Sequence, residues 1–177
     1  MLLNFGQPTP GIVQFAYIVP DLQKAMAAYT TNLKVGPWFH AESYTLTDAV
    51  YRGVPSTMRM SLAIAFAGHM SIELIQQNDG TPSVYQEVLE KSGYGFHHWG
   101  LATHDFDKDL AAYRALGYEV ALSGRSARGI RLAYLDTMGT LPGMIELIEF
   151  SEAQERFYTS AYKASLNWDG SDPVRPF

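Results

Sequence analysis

Phe96-His97-His98-Trp99-Gly100-Leu101-Ala102-Thr103-His104-Asp105 decides the fold, because the chain carries an earlier copy of it. That copy is Ile12-Val13-Gln14-Phe15-Ala16-Tyr17-Ile18-Val19-Pro20-Asp21. In each, a side chain able to ligate a metal precedes an Asp by seven residues, Gln14 before Asp21 and His98 before Asp105. Each Asp opens an Ala-rich amphipathic segment that places a Tyr eight residues later, at Tyr29 and Tyr113. Each half then closes on one tetrapeptide, Ile72-Glu73-Leu74-Ile75 and Ile145-Glu146-Leu147-Ile148. The chain is a duplicated unit.

Working outward, residues 12–19 form a short run rich in Ile and Val between Gly11 and Pro20, which reads as a strand. Asp21 caps a helix through Leu33 that Gly36-Pro37 ends. Trp38 to Leu46 is a second strand, and the polar residues 47–55 read as a loop. Thr57 to Phe66 and Met70 to Gln76 form a hairpin about Ala67-Gly68-His69. Ser83 to Lys91 reads as a connecting helix. The second half repeats the order: strand His97–Thr103, helix Asp105–Leu116, strand Tyr118–Leu122, a basic loop Ser123–Gly129, and strands Ile130–Leu135 and Met144–Phe150. Ser151 caps a last helix to about Ser165, with Glu152 and Glu155 in its first turn, where the helix dipole favours acids.

The expected architecture is α+β, a single domain of two paired β-α-β-β-β modules over about residues 11–77 and 94–150, with a C-terminal helix and tail over 151–177. Each module covers one face of its sheet with its helix. Two such sheets joined edge to edge form a curved, cup-shaped mixed sheet. Strand alternation puts Gln14 with Ala16, and Ser71 with Glu73 and Ile75. It also puts His98 with Gly100, and Glu146 with Met144 and Ile148. His97 falls on the face opposite His98 and reads as structural.

The 177 residues, 47% hydrophobic and 13% aromatic, suffice for a core and a lined pocket. A net charge of -5 argues against nucleic-acid binding, which needs a basic face. With no cysteine there is neither disulfide nor thiolate chemistry. No apolar run approaches the roughly 20 residues of a membrane helix, and residues 1–8 lack the pattern of a signal peptide. A cytoplasmic protein is the expectation. Exposed module edges lead us to expect a homodimer.

The chemistry lies in the two Ile-Glu-Leu-Ile strands. Strands disfavour Glu, and an inward carboxylate costs several kcal/mol unless it is paired, protonated or metal-bound. Gln14, Glu73, His98 and Glu146 together make a hard, mixed N/O ligand set for one divalent ion, Zn, Ni, Co, Mn or Fe. Such an ion stabilises the oxygen on which charge develops when a proton leaves the carbon beside a carbonyl.

These motifs, Gln14 through Val19-Pro20-Asp21-Leu22, Ile72-Glu73-Leu74, His97-His98-Trp99-Gly100-Leu101-Ala102 and Met144-Ile145-Glu146-Leu147, resemble the vicinal oxygen chelate superfamily. That group contains glyoxalase I, methylmalonyl-CoA epimerase, extradiol dioxygenases and bleomycin-resistance proteins, and the resemblance covers roughly Ile12 to Phe150. It implies metal ligands at Gln14, Glu73, His98 and Glu146, a ligand set similar to that of one branch of glyoxalase I. The His-His doublet and compact length are more similar to the epimerase, which would have His at position 14. The implied function is a metal-dependent isomerase or lyase acting on a carbonyl or acyl-thioester substrate. Glu146 would move the proton, with Glu73 as its symmetric partner. The alternatives are a non-catalytic binding protein and, with less support, an extradiol dioxygenase, whose chemistry usually takes two His and one carboxylate.

Arg59 and Arg131, at comparable places before the two Ile-Glu-Leu strands, are candidates to hold an anionic substrate tail, surface ion pairs being the alternative. Trp38, Phe66 and Tyr134 are aromatic candidates for the pocket wall, core packing being the alternative. Arg125, Arg128 and Arg131 suggest a phosphate or carboxylate contact.

Overall fold

The computed structural model describes residues 1–177. In chain order the elements are β1 (Gly11–Ile18), α1 (Leu22–Leu33), β2 (Trp38–Tyr44), β3 (Thr47–Tyr51), β4 (Val54–Pro55), β5 (Met60–Ala67), β6 (Met70–Gln77) and α2 (Val84–Ser92). There follow β7 (Gly95–Thr103), α3 (Phe106–Ala115), β8 (Glu119–Arg125), β9 (Arg131–Asp136), β10 (Met144–Glu149), α4 (Glu152–Ser165) and β11 (Val174–Pro176). All strands join one sheet in the order β11-β2-β5-β6-β1-β7-β10-β9-β8-β3-β4.

The duplication is visible in that order. The set β2-β5-β6-β1 is mirrored by β8-β9-β10-β7, and the two sets meet where β1 runs antiparallel to β7. In each set the first strand lies parallel to the last, β1 with β6 and β7 with β10. Asp21 and Asp105 cap their helices as read, accepting from the backbone N–H of Lys24 and Lys108.

Alternation along β5 shows how a sheet with two covered faces reads in sequence. Met60, Leu62 and Ile64 point into the cup, while the small Ala63 and Ala65 make room for α1 and its Leu22 and Met26. β9 repeats the arrangement, with Leu132 and Tyr134 inside and Ala133 against Phe106 of α3. The mouth of the cup is covered by α4. Its Tyr158 is fully buried beside Phe66, Phe150 and Phe5, the last from the N-terminal arm.

Three local readings need correction. Residues 47–55 are not a loop: they form the β3–β4 hairpin, turning through Arg52 and Gly53, both at positive φ, and β3 pairs with β8. β2 and β3 thus carry the chain from one module's edge strand to the other's. Strand β8 runs on through Ser123 to Arg125 into the stretch read as a basic loop, because it has β3 as a partner. The polar tail contributes β11, parallel to β2, and sets Phe177 against Tyr44 and Phe157. All three depend on pairing partners distant in sequence.

Candidate metal and acid–base centre

Two rows of side chains cross the concave face at the seam. One runs Ile64, Glu73, Ala16, His98, Met144, and the next runs Phe66, Ser71, Gln14, Gly100, Glu146, Tyr134. The register gives the rows a local two-fold relation. Gln14 opposes Gly100 as Ala16 opposes His98, and Glu73 flanks Ala16 as Glu146 flanks Gly100. Small residues occupy the two central places, so the four polar side chains converge above them.

From His98 Nε2 it is 3.1 Å to Glu146 Oε2, 3.6 Å to Glu73 Oε2 and 3.5 Å to Gln14 Oε1. Ligand atoms of Glu73, His98 and Glu146 all lie within 4.8 Å of one another. Donors bound at about 2.1 Å to one tetrahedral or octahedral ion stand roughly 3 to 4 Å apart, so this spacing fits a single divalent cation. All four residues are buried. Burial, reinforced by the charge of Glu146, drives the Glu73 carboxyl well above the usual carboxylate range. Two buried carboxylates need a proton or a cation between them, which the ligand set would accept.

The surroundings fix the orientation of each donor. Gln14 Nε2 donates to Tyr158 Oη at 3.1 Å, turning Oε1 toward the centre. His98 is governed by its neighbour. His97 Nε2 lies 3.2 Å from the Val84 carbonyl, a pure acceptor, and burial holds His97 neutral by lowering its pKa. The His97 proton is therefore on Nε2, and His97 Nδ1 must accept. His98 Nδ1, 2.8 Å away, donates to it. In the neutral imidazole this leaves the lone pair on His98 Nε2, facing the carboxylates, the tautomer a metal ligand needs.

His97 was expected on the other face. The structure corrects this: Ala16 pairs with His98 but Tyr17 pairs with Phe96, so His97 is the extra residue of a β-bulge. The bulge interrupts the alternation and brings both imidazoles to the cup side.

The centre forms one end of a partly enclosed cavity. Aliphatic side chains including Leu62, Ile64, Leu132 and Ile148 line it, with Tyr44, Tyr85, Tyr134 and Tyr158. Desolvation is the main reason these four phenols have raised pKa values, Tyr44 being pushed up to about 12, so they serve as neutral donors. Tyr134 packs edge-on against the His98 ring and shares a 3.0 Å hydrogen bond with Tyr85 of the connecting helix α2.

Of the sequence candidates, Gln14, Glu73, His98, Glu146 and Tyr134 meet here. The others lie elsewhere. Arg59 is exposed and paired with Asp79. Arg131 belongs to the outward face of β9, held by Glu149 and Asp107 and stacked over Phe106. Trp38 is buried between α1 and the sheet, donating to Thr30 Oγ1. Phe66 packs in the aromatic cluster beneath α4. Tyr158, Tyr44 and His97 were not read as site residues; for the first two, only long-range packing brings them in.

A family model described as glyoxalase/bleomycin resistance protein/dioxygenase superfamily matches residues 13–134, well over half the chain. Among solved structures, hypothetical protein BH1468 from Bacillus halodurans C-125 is similar at 17% identity and a TM-score of 0.58, covering 81% of this chain and 96% of that one. Methylmalonyl-CoA epimerase from Mycobacterium tuberculosis is similar at 20% identity and a TM-score of 0.57, covering 84% and 95%. A methylmalonyl-CoA epimerase in complex with methylmalonyl-CoA and NH4+ gives 19%, 0.56, 79% and 94%. At such identities the likeness is one of fold. No curated protein matches the sequence.

Proposed function

This chain belongs to the glyoxalase/bleomycin resistance protein/dioxygenase superfamily, and from that premise we propose that it is a divalent-metal-dependent isomerase or lyase. Its reaction would be removal of a proton from the carbon beside a carbonyl. The observation that carries the reading is the convergence of Gln14, Glu73, His98 and Glu146 on the two-fold seam of the cup. A divalent cation held by them would supply Lewis-acid stabilisation to the substrate's carbonyl oxygen.

The protein's own groups do the rest. Glu146, as carboxylate, takes the proton while the electron pair of the breaking C–H bond moves toward the carbonyl. Glu73, related to Glu146 by the local two-fold, would be the acid for the opposite face once a proton has reached it. Returning that proton to the opposite face inverts the carbon, and returning a proton to a neighbouring atom isomerises it. Gln14 and His98 keep their donor atoms fixed through Tyr158 and His97. The aliphatic walls exclude water from the reacting carbon.

The substrate is a carbonyl compound or an acyl thioester, the latter supported by the fold's likeness to proteins named as methylmalonyl-CoA epimerases. The test is proton NMR in deuterium oxide with Zn-, Co-, Ni-, Mn- and Fe-loaded protein against a panel of both classes. We expect α-proton exchange with at least one pairing, falling at least about 100-fold in Glu146→Gln. No exchange with any pairing, together with ligand binding in the cavity, would leave a small-molecule binding protein.

A further inference from the structure

We propose that Arg128 makes the wall of the cavity an anion subsite, so that of the two substrate classes the ligand is the carbonyl compound and not the acyl thioester: a small monoanion with a carbonyl at one end, an apolar body and a carboxylate at the other. The assignment of the carbonyl end rests on the function proposed above.

Arg128 is the one Lys or Arg among the residues lining the cavity. Its guanidinium carbon lies 4.2 Å from the centre of the Phe157 ring and 4.3 Å from that of Phe177. Stacking of this kind occupies the faces of the guanidinium and leaves its rim of N–H donors to be satisfied elsewhere. Nearby Arg125 and Arg131 each face a carboxylate, Asp48 at 3.9 Å and Glu149 at 2.8 Å, whereas Arg128 has no acidic partner. Its hydrogen bond within the loop comes from the backbone N–H, to Ser126 Oγ, and its side-chain donors have no protein acceptor. Arg128 is exposed as a residue, and packing of its guanidinium on the two rings lowers its pKa through desolvation.

Charge and shape define what would complete it. Glu73 and Glu146 bring two negative charges to the far end of the cavity, which one divalent cation balances. Arg128 is then the remaining unbalanced charge on the wall. Tyr44 and Tyr158 line the same cavity, and Tyr158 reaches the centre through its hydrogen bond with Gln14. The intervening walls are Leu46, Met60, Leu62, Ile130 and Leu132, which offer nothing to a polar body. A neutral ligand would leave the guanidinium rim to water, whereas a single carboxylate matches its charge and its fork of donors.

The test is titration calorimetry with matched probes differing only in charge: 4-acetylbenzoate, 5-oxohexanoate and 7-oxooctanoate, each beside its amide. Zn-loaded and metal-free protein are used in parallel, with Arg128→Gln and Arg128→Lys variants whose folding is checked by thermal unfolding. We expect at least one acid to bind about tenfold or more tighter than its amide. That ratio should collapse toward one in Arg128→Gln and be partly kept in Arg128→Lys. Equal affinities for every acid and its amide, absence of any binding included, would overturn the proposal, as would an acid preference that survives in Arg128→Gln. An Arg128-dependent preference without α-proton exchange would retain the subsite and reject the proposed reaction. Exchange with indifferent acids and amides would do the reverse.

Discussion

Replacing Gly100 by Ala probes the centre through one methyl group. Gly100 faces Gln14 across the β1–β7 seam and Glu146 across β10. A Cβ added there would stand 2.8 Å from Gln14 Cβ, 2.9 Å from Gln14 Oε1 and 3.1 Å from Ile148 Cδ1. Carbon atoms rest about 3.5 to 4.0 Å apart, so Gln14 Cβ must retreat by roughly 0.7 Å. Rotation cannot move a Cβ, and the seam strands themselves have to part. Overpacking of this kind costs about 1 to 3 kcal/mol. For a chain of this length each kcal/mol lowers Tm by about 2 to 4 °C, giving an expected loss of about 2 to 12 °C in calorimetry. The same displacement takes Oε1 from the centre, so Zn affinity measured by competition with a chelating dye should fall at least about tenfold. Gly80→Ala, where an added Cβ meets nothing within 4 Å, is the control. Unchanged stability and Zn affinity in Gly100→Ala would refute the packing of the seam. Lost stability with unchanged affinity would remove Gln14 from the ligand set.

His97→Phe keeps an aromatic ring but takes away the acceptor that holds His98 Nδ1–H, and Zn affinity should fall about 10- to 100-fold, with the His98 tautomer read by 15N NMR. Tyr158→Phe leaves Gln14 Nε2 buried without its acceptor, costing about 1 to 3 kcal/mol in chemical denaturation and loosening the amide's hold on its orientation. The raised Glu73 pKa means that the folded, metal-free protein keeps a proton the unfolded chain releases. Its contribution is fully favourable below the unfolded carboxylate pKa and is lost as pH rises through the raised value, by at most about 1.4 kcal/mol per pH unit. Metal-free parent protein should thus lose stability relative to Glu73→Gln as pH rises; a difference that stays flat, or that runs the other way, would contradict the burial of an unpaired carboxylate.

The division of the fold into modules was legible because duplication writes the same strand and cap signals twice, at Ile12–Asp21 and Phe96–Asp105. Gln14, Glu73, His98 and Glu146 could be grouped because alternation holds along β6 and β10. Alternation also misled. A β-bulge at His97 shifts the register by one residue without any mark in composition, and it changes a structural histidine into the partner of His98. The arginines divide by the same local geometry: Arg131 starts a strand on its outward face, while Arg128, three residues earlier, lies in the turn that returns to the cavity wall. The β3–β4 hairpin and β11 could not be read because their partners, β8 and β2, lie elsewhere in the sequence and the segments themselves are short and polar. Tyr158 looked like one helical tyrosine among several until α4 settled over the cup.

The central claim is that one divalent cation sits among the four converging side chains. Its most direct test is anomalous diffraction at the zinc edge from crystals of the parent protein and of Glu146→Ala grown with equal zinc. The account requires one strong peak per chain, bounded by Gln14 Oε1, the Glu73 and Glu146 carboxylates and His98 Nε2, and weak or missing in the variant. A cup with no peak in the parent, or a peak held by other residues, would contradict it.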